Sequence, residues 1–468
     1  MKPEHLSFGG GASGTILHPL AAVAMLLAVL LILALPRRQA IVPFLLVTFL
    51  LPMSQEIDIG GMHWVVLRIV VLFGCSRLLW EKLSANEKLF PGGLNTIDKV
   101  FLVWAISRGV APILLFHTGA AVPLQIAVWL QEIGGYFLLR HLIQDVEDIG
   151  RVAKTLALVV LIMGLCMANE RVHGINIFGY LGGMSIAPEV RDGVIRANAA
   201  FAHPLLAGCF GATLLPLMCW LFKSGKGRWL AVLAAAAALA MVVFAASSTS
   251  YLACVGGIGA LFLWPMRGSM RLVRWGIVLT LVGLQLVMKA PVWFVISHID
   301  LTGASSGYHR AMLIDTFLRH FKDWWLIGTN QTGGWGWDMW DLSNTFVDQG
   351  EIGGLVAFVC FIAIISKSFG RLGKMRKQVE GDQTLEWLCW SLCAVMFAHI
   401  TSYFGVSYFD QTEMWWLAFL AMVSAATAAL VKRPAAAAEE SEPPLAEVTV
   451  GSPDLPEWEN FAGGLSGV

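Results

Sequence analysis

The chain has 468 residues, 57% of them hydrophobic and only 14% charged, and its 32 basic and 32 acidic side chains cancel. A soluble fold of this composition would leave large apolar areas in water, whereas bilayer spans of about 20 residues absorb them. A neutral, charge-poor chain also excludes a nucleic-acid binder.

Apolar windows predict about thirteen spans, near 16–36, 40–54, 62–80, 98–117, 121–140, 152–168, 203–222, 228–246, 250–266, 274–296, 351–368, 385–405 and 411–431. The first run begins near Leu17 and is followed by Pro36-Arg37-Arg38 rather than a small-residue cleavage site, so no cleavable signal is expected. Basic residues recur in alternate loops: Arg37-Arg38, Lys82 with Lys88, Arg140 through Lys154, Lys223-Lys226-Arg228, Arg267-Arg271-Arg274, the Lys367–Lys377 cluster and Lys432-Arg433. The positive-inside rule places those loops in the cytoplasm and the poorly basic ones outside. The expected fold is an all-α polytopic bundle of about 12–13 spans over residues 1–433, with external loops at 169–202 and 297–350. Residues 434–468, rich in Ala, Glu, Pro and Gly, read as a disordered cytoplasmic tail. The eight cysteines fall in or beside apolar stretches with no C-x-x-C pair, as small buried hydrophobes do.

Three arginines lie where topology gives no reason for them. Arg68 interrupts the apolar run Leu67-Arg68-Ile69-Val70-Val71, where an unpaired charge costs several kcal/mol, and Arg108 is a weaker case of the same kind. Glu132 in the fifth span is a carboxylate partner for either, and a purely structural pair is the alternative. Arg196, in Arg196-Ala197-Asn198-Ala199-Ala200-Phe201-Ala202-His203-Pro204, is either a phosphate donor or a snorkelling interfacial side chain. Arg310 sits in an amphipathic helix beginning at Gly307, on a face shared with Ile314, Phe317 and Phe321, while Arg319 points to water. A buried arginine needs an anion, either a structural carboxylate or a substrate phosphate. Trp335, Trp337 and Trp340 read as interfacial anchors or as platforms for sugar rings.

Taken together these segments resemble the O-antigen ligase and polymerase superfamily of bacterial polysaccharide assembly. The matching pieces are the Arg196–Pro204 segment, the turn Ser247-Ser248-Thr249-Ser250, Arg310 opening a helix, Trp325-Leu326-Ile327-Gly328-Thr329-Asn330, and Ser343-Asn344 before Glu351-Ile352-Gly353-Gly354. They cover roughly residues 150 to 370. Two positions depart from the family pattern: Tyr251 stands where an arginine follows the Ser/Thr turn, and Ser343 where ligases carry histidine.

The resemblance implies a GT-C-like, metal-independent glycosyltransferase without cofactor, multi-pass in the bacterial inner membrane with its long loops external. Its donor would be an oligosaccharide on polyprenyl diphosphate and its acceptor a glycan or lipid, alongside other polysaccharide-assembly proteins. Arg196, Arg310 and Arg68 would hold the diphosphate, and Trp335 and Trp337 would stack on glycan. The missing histidine's role would pass to His309, Asp315 or Asp348. The competing expectations are a transporter or flippase for lipid-linked glycan, and a non-catalytic assembly partner.

Overall fold

The structure is a computed structural model that describes residues 15–59, 62–85, 89–90, 93–298 and 307–428. Lys88, Lys432, Arg433 and the tail expected at 434–468 lie outside the described residues. The first half of the chain forms α1 (Pro19–Ala34), α2 (Arg37–Leu50), β1 (Glu56–Ile59), β2 (Met62–Val65), α3 (Val66–Ala85), α4 (Thr96–Phe116), α5 (Ala121–Trp129), α6 (Gly135–Leu142) and α7 (Val146–His173). Then come β3 (Glu189–Arg191), β4 (Val194–Arg196), α8 (Pro204–Lys223), α9 (Arg228–Ala245), α10 (Ser248–Phe262), α11 (Met270–Val287), α12 (Gly307–Arg319), α13 (Phe321–Trp324), α14 (Thr345–Gln378), α15 (Gln383–Tyr403) and α16 (Asp410–Ala426). The strands form two separate antiparallel hairpins, β1–β2 and β3–β4.

Every predicted apolar window contains a helix. Among the described residues, eight helical segments are long and apolar enough to cross a membrane: α4, α5 through α6, α7, α8, α9, the Trp264–Val287 segment ending in α11, α14 and α15. The helices α1 and α10 are apolar but shorter. The remaining windows hold α2, α16 and α3; the last carries Arg68, Arg77, Glu81 and Lys82. The chain is thus a mostly helical, multi-pass membrane protein. The long connections are trimmed by helix: α7 runs to His173 and α14 begins at Thr345.

Helix ends are set by local chemistry. The Asn95 side chain caps α4 in a capping box with Asp98, and Asp145 caps α7, which stops at Gly174 in the left-handed region. The His203 ring nitrogen accepts from the Leu205 amide at 3.1 Å, and Pro204 fills the first position of α8. The Asn344 carboxamide accepts from the Phe346 and Val347 amides to start α14. Both motif pieces, His203-Pro204 and Asn344, therefore have a structural duty as helix starts.

Burial concentrates on α8 and α16, which run through the centre of the bundle, whereas no residue of α11 is buried. The basic loops meet at one end: Arg37 pairs with Asp148 at 2.9 Å, Arg38 with Glu147 at 3.1 Å, and Arg267 with Glu386 at 3.5 Å. The poorly basic connections meet elsewhere. Ala197 N–H donates to the Phe244 carbonyl, Thr345 N–H to Val406, and the Gln411 carboxamide to Ala200. The alternation read from charge therefore sorts the loops into two sets that each pack among themselves.

Candidate functional site

A cleft of about 520 Å³ opens where the poorly basic connections meet. Its walls come from the β3–β4 hairpin, the start of α8, the α9–α10 junction, the first turn of α12, residues 340–343 and residues 405–409. Three arginines (Arg191, Arg196, Arg310) and three carboxylates (Glu189, Asp192, Asp341) line it, with His203, Ser247, Ser248 and Ser343.

Arg196 is held on a rigid mount. The Asp192-Gly193 turn has both residues at positive φ, 51° and 76°, which closes a tight hairpin and sets Glu189 opposite Arg196. The three alanines of the Arg196-to-Ala200 stretch are buried, and its backbone is tied down: Asn198 and Ala199 amides donate to the Glu170 carboxylate at 3.1 and 2.9 Å. Asn176 donates to the Ala199 carbonyl at 2.9 Å. Small side chains are needed there because the chain passes through a packed interior. The guanidinium, 5% exposed, donates from Nε to the Ala245 carbonyl at 3.3 Å and from Nη1 to Glu189 at 2.5 Å.

Arg310 reaches the cleft from another element and is held differently. It is 6% exposed, and among the described residues its Nε has no hydrogen-bond partner and no carboxylate pairs with it. Burial of the guanidinium lowers its pKa from the ordinary arginine value. Gly405 makes the space: a Cβ there would stand 3.0 Å from Arg310 Cζ and 2.4 Å from Thr249 Oγ1. A buried cation with no counter-anion among the described residues, lining a cleft, suits an anionic ligand.

His203 completes the arrangement. Its Nδ1 is occupied as the α8 cap, so the proton of the neutral ring sits on Nε2, which faces Glu189 Oε2 at 3.4 Å. Burial lowers the His203 pKa, with Glu189 opposing and Arg196 adding to the effect. The Glu189 carboxylate thus bonds Arg196 and lies close to His203, on two different elements.

The expected site residues divide. Arg196 and Arg310 come together in the cleft, joined by the Ser247-Ser248 turn and Ser343. His309 lies at its edge, with Nε2 3.1 Å from the Asp341 carbonyl. Asp315 is turned away, paired with Arg319 at 2.6 Å. The expected face of α12 needs one change: Arg310 and Phe317 are buried and Arg319 is exposed as read, but Phe321 is exposed and begins α13.

Asp348 belongs to another cluster. Arg108 sits 3.5 Å from Glu132 and 3.7 Å from Asp348, over the Trp104 ring, so the partner of Glu132 is Arg108 and not Arg68. Arg68 donates to the His63 carbonyl at 3.0 Å and takes no part in lining the cleft. Trp335 is occupied, stacked on His320 and donating to Asp323 at 3.2 Å. Trp337 is 89% exposed, and the tryptophan at the cleft is Trp340.

Sequence reasoning passed over Glu189, Asp341 and Gly405 as site residues, and counted His203 only as part of a motif. For Glu189 the signal was present: Asp192-Gly193 between two short β-prone runs is a hairpin signature, and it puts Glu189 across from Arg196. Nothing local marked the other two. A scan against protein-family models finds no match to this chain, and a search of curated proteins finds none.

Proposed function

We propose that the chain is a membrane glycosyltransferase of the O-antigen ligase and polymerase kind, GT-C-like, working at the external face of the bacterial inner membrane. It transfers oligosaccharide from polyprenyl diphosphate to a glycan or lipid acceptor. One observation carries the reading: two arginines distant in sequence converge on one cleft, and one of them, Arg310, is buried there without a counter-anion among the described residues.

The chemistry follows from the departing group. As the anomeric C–O bond breaks, charge gathers on the diphosphate, and preorganised guanidiniums lower the barrier there by several kcal/mol. Arg196 and Arg310 supply that field from two different elements. Trp340, at the open side, offers an apolar face to a sugar ring. Ser343, where the resemblance leads one to expect histidine, cannot serve as a base, and neither Asp315 nor Asp348 reaches the cleft. His309 is close, but its Nε2 is turned to a backbone carbonyl.

A second reading, transport of a lipid-linked glycan, draws on the buried Arg108–Glu132–Asp348 cluster and on the π-helical turn at Leu130–Gly134 beside it. Full-length protein in sealed vesicles, given the lipid-linked oligosaccharide and an acceptor without a gradient, separates the two. The enzyme reading expects free polyprenyl diphosphate and a lengthened acceptor. Movement of intact donor with no release would overturn it.

A further inference from the structure

Accepting that a diphosphate occupies the cleft, we infer that Glu189 holds its place in the resting protein and, once displaced, becomes the base that deprotonates the acceptor. The inference rests on what Glu189 touches. Its Oε1 accepts a hydrogen bond from Arg196 Nη1 at 2.5 Å, while Oε2 faces His203 Nε2 at 3.4 Å. Arg196 is almost wholly buried, its Nε bonds the Ala245 carbonyl and its Nη1 bonds Glu189, so a ligand that takes Nη1 competes with Glu189 for it. His203 cannot turn away, because its other nitrogen caps α8. A carboxylate bonded by a guanidinium, with an imidazole nitrogen 3.4 Å away, sits where a phosphate oxyanion would find the same neighbours. Glu189 itself is 40% exposed at the end of a two-residue-turn hairpin, so it can swing out without disturbing the bundle.

An incoming diphosphate carries more charge than the carboxylate and meets Arg310 in the same cleft as well, so it wins Arg196. Glu189 is then an unpaired carboxylate at the edge of the cleft, next to the leaving group and facing an incoming hydroxyl. In the transfer, the acceptor O–H proton passes to Glu189 while the acceptor oxygen bonds to the anomeric carbon. The bond from that carbon to the phosphate oxygen breaks, and its electron pair leaves with the diphosphate. This supplies the base that Ser343 and the outlying Asp315 and Asp348 do not. It also makes substrate binding itself the step that releases the base.

The test is Glu189→Gln in the full-length protein. Glutamine keeps the shape and removes the competing charge, so inorganic pyrophosphate should bind about tenfold more tightly than to wild type by titration calorimetry. In the same variant kcat for glycan transfer should fall by about 100-fold or more while donor KM drops. Glu189→Asp, which keeps the carboxylate, should recover much of the turnover. A merely structural ion pair predicts the reverse pattern, with weaker binding and a lower melting temperature. Unchanged kcat, or pyrophosphate affinity no tighter than wild type, would overturn the inference. If wild type binds pyrophosphate and Arg310→Ala abolishes it, the diphosphate reading stands whatever Glu189→Gln does. If neither wild type nor Glu189→Gln binds, both fall.

Discussion

Arg196 and Arg310 are both buried, yet only one is neutralised: Arg196 has Glu189, while Arg310 faces the cleft with its Nε unpaired among the described residues. That asymmetry decides what each is expected to contribute. On the proposed function, Arg310 is expected to be the stronger attractor for an incoming anion, with Arg196 Nη1 reached by exchange with Glu189. His203 is a third residue whose role depends on protonation. Since burial keeps its pKa below 6.5, the unfolded chain takes up this proton before the folded one does. Stability is therefore lost as pH falls below about 6.5 toward the lowered value, and is recovered above it. His203→Asn keeps a capping side chain without the titration, so its melting temperature should vary less with pH between neutral and mildly acid buffers. An unchanged slope would remove His203 as the source. His203→Ala should cost about 0.5–2 kcal/mol at neutral pH through the lost cap, measured by thermal denaturation in detergent.

Between elements, one seam of two backbone hydrogen bonds joins what the sequence separates. Thr329 N–H donates to the Glu351 carbonyl at 2.8 Å and Leu355 N–H to Trp325 at 2.9 Å, so the Trp325–Asn330 segment lies along a kink in α14. Two glycines allow it. Gly354 has φ +66° and a Cβ there would meet the Leu326 carbonyl oxygen at 2.7 Å; Gly328 has φ +78° and would meet the Glu351 oxygen at 1.9 Å. Alanine at either should cost about 2–4 kcal/mol from backbone strain and overpacking, read as a fall in melting temperature. Stability equal to wild type would mean the seam is not formed.

These segments were legible as motif pieces, but their pairing was not, because hydrogen bonds between backbones leave no mark on side-chain type. Arg310 could be read as buried from helical periodicity, which records the face a side chain occupies. The room its guanidinium occupies could not, since that depends on Gly405, whose only relevant property is the missing Cβ. Asp315 and Asp348 read as substitutes for the histidine that the resemblance implies. One turn of α12 and the first turn of α14 were enough to aim both carboxylates elsewhere, at Arg319 and Arg108.

Across the whole molecule, the apolar windows survived as helices because bilayer length and hydropathy constrain each span separately. The two loop sets survived because charge alternation is also a property of the chain read in order. The positive-inside rule predicts that the cleft faces outward. Single cysteines at Asp341 and Lys226, introduced after removing the native thiols, should label from outside and from inside respectively with a membrane-impermeant maleimide; the opposite pattern would put the cleft in the cytoplasm. The most direct test of the central claim is the release of polyprenyl diphosphate from a lipid-linked oligosaccharide by purified protein in vesicles, comparing wild type with Arg310→Ala. The account predicts acceptor-dependent release by wild type and a loss of about 100-fold or more in the variant, as for removal of a donor that stabilises developing charge. Release by Arg310→Ala at the wild-type rate would contradict it.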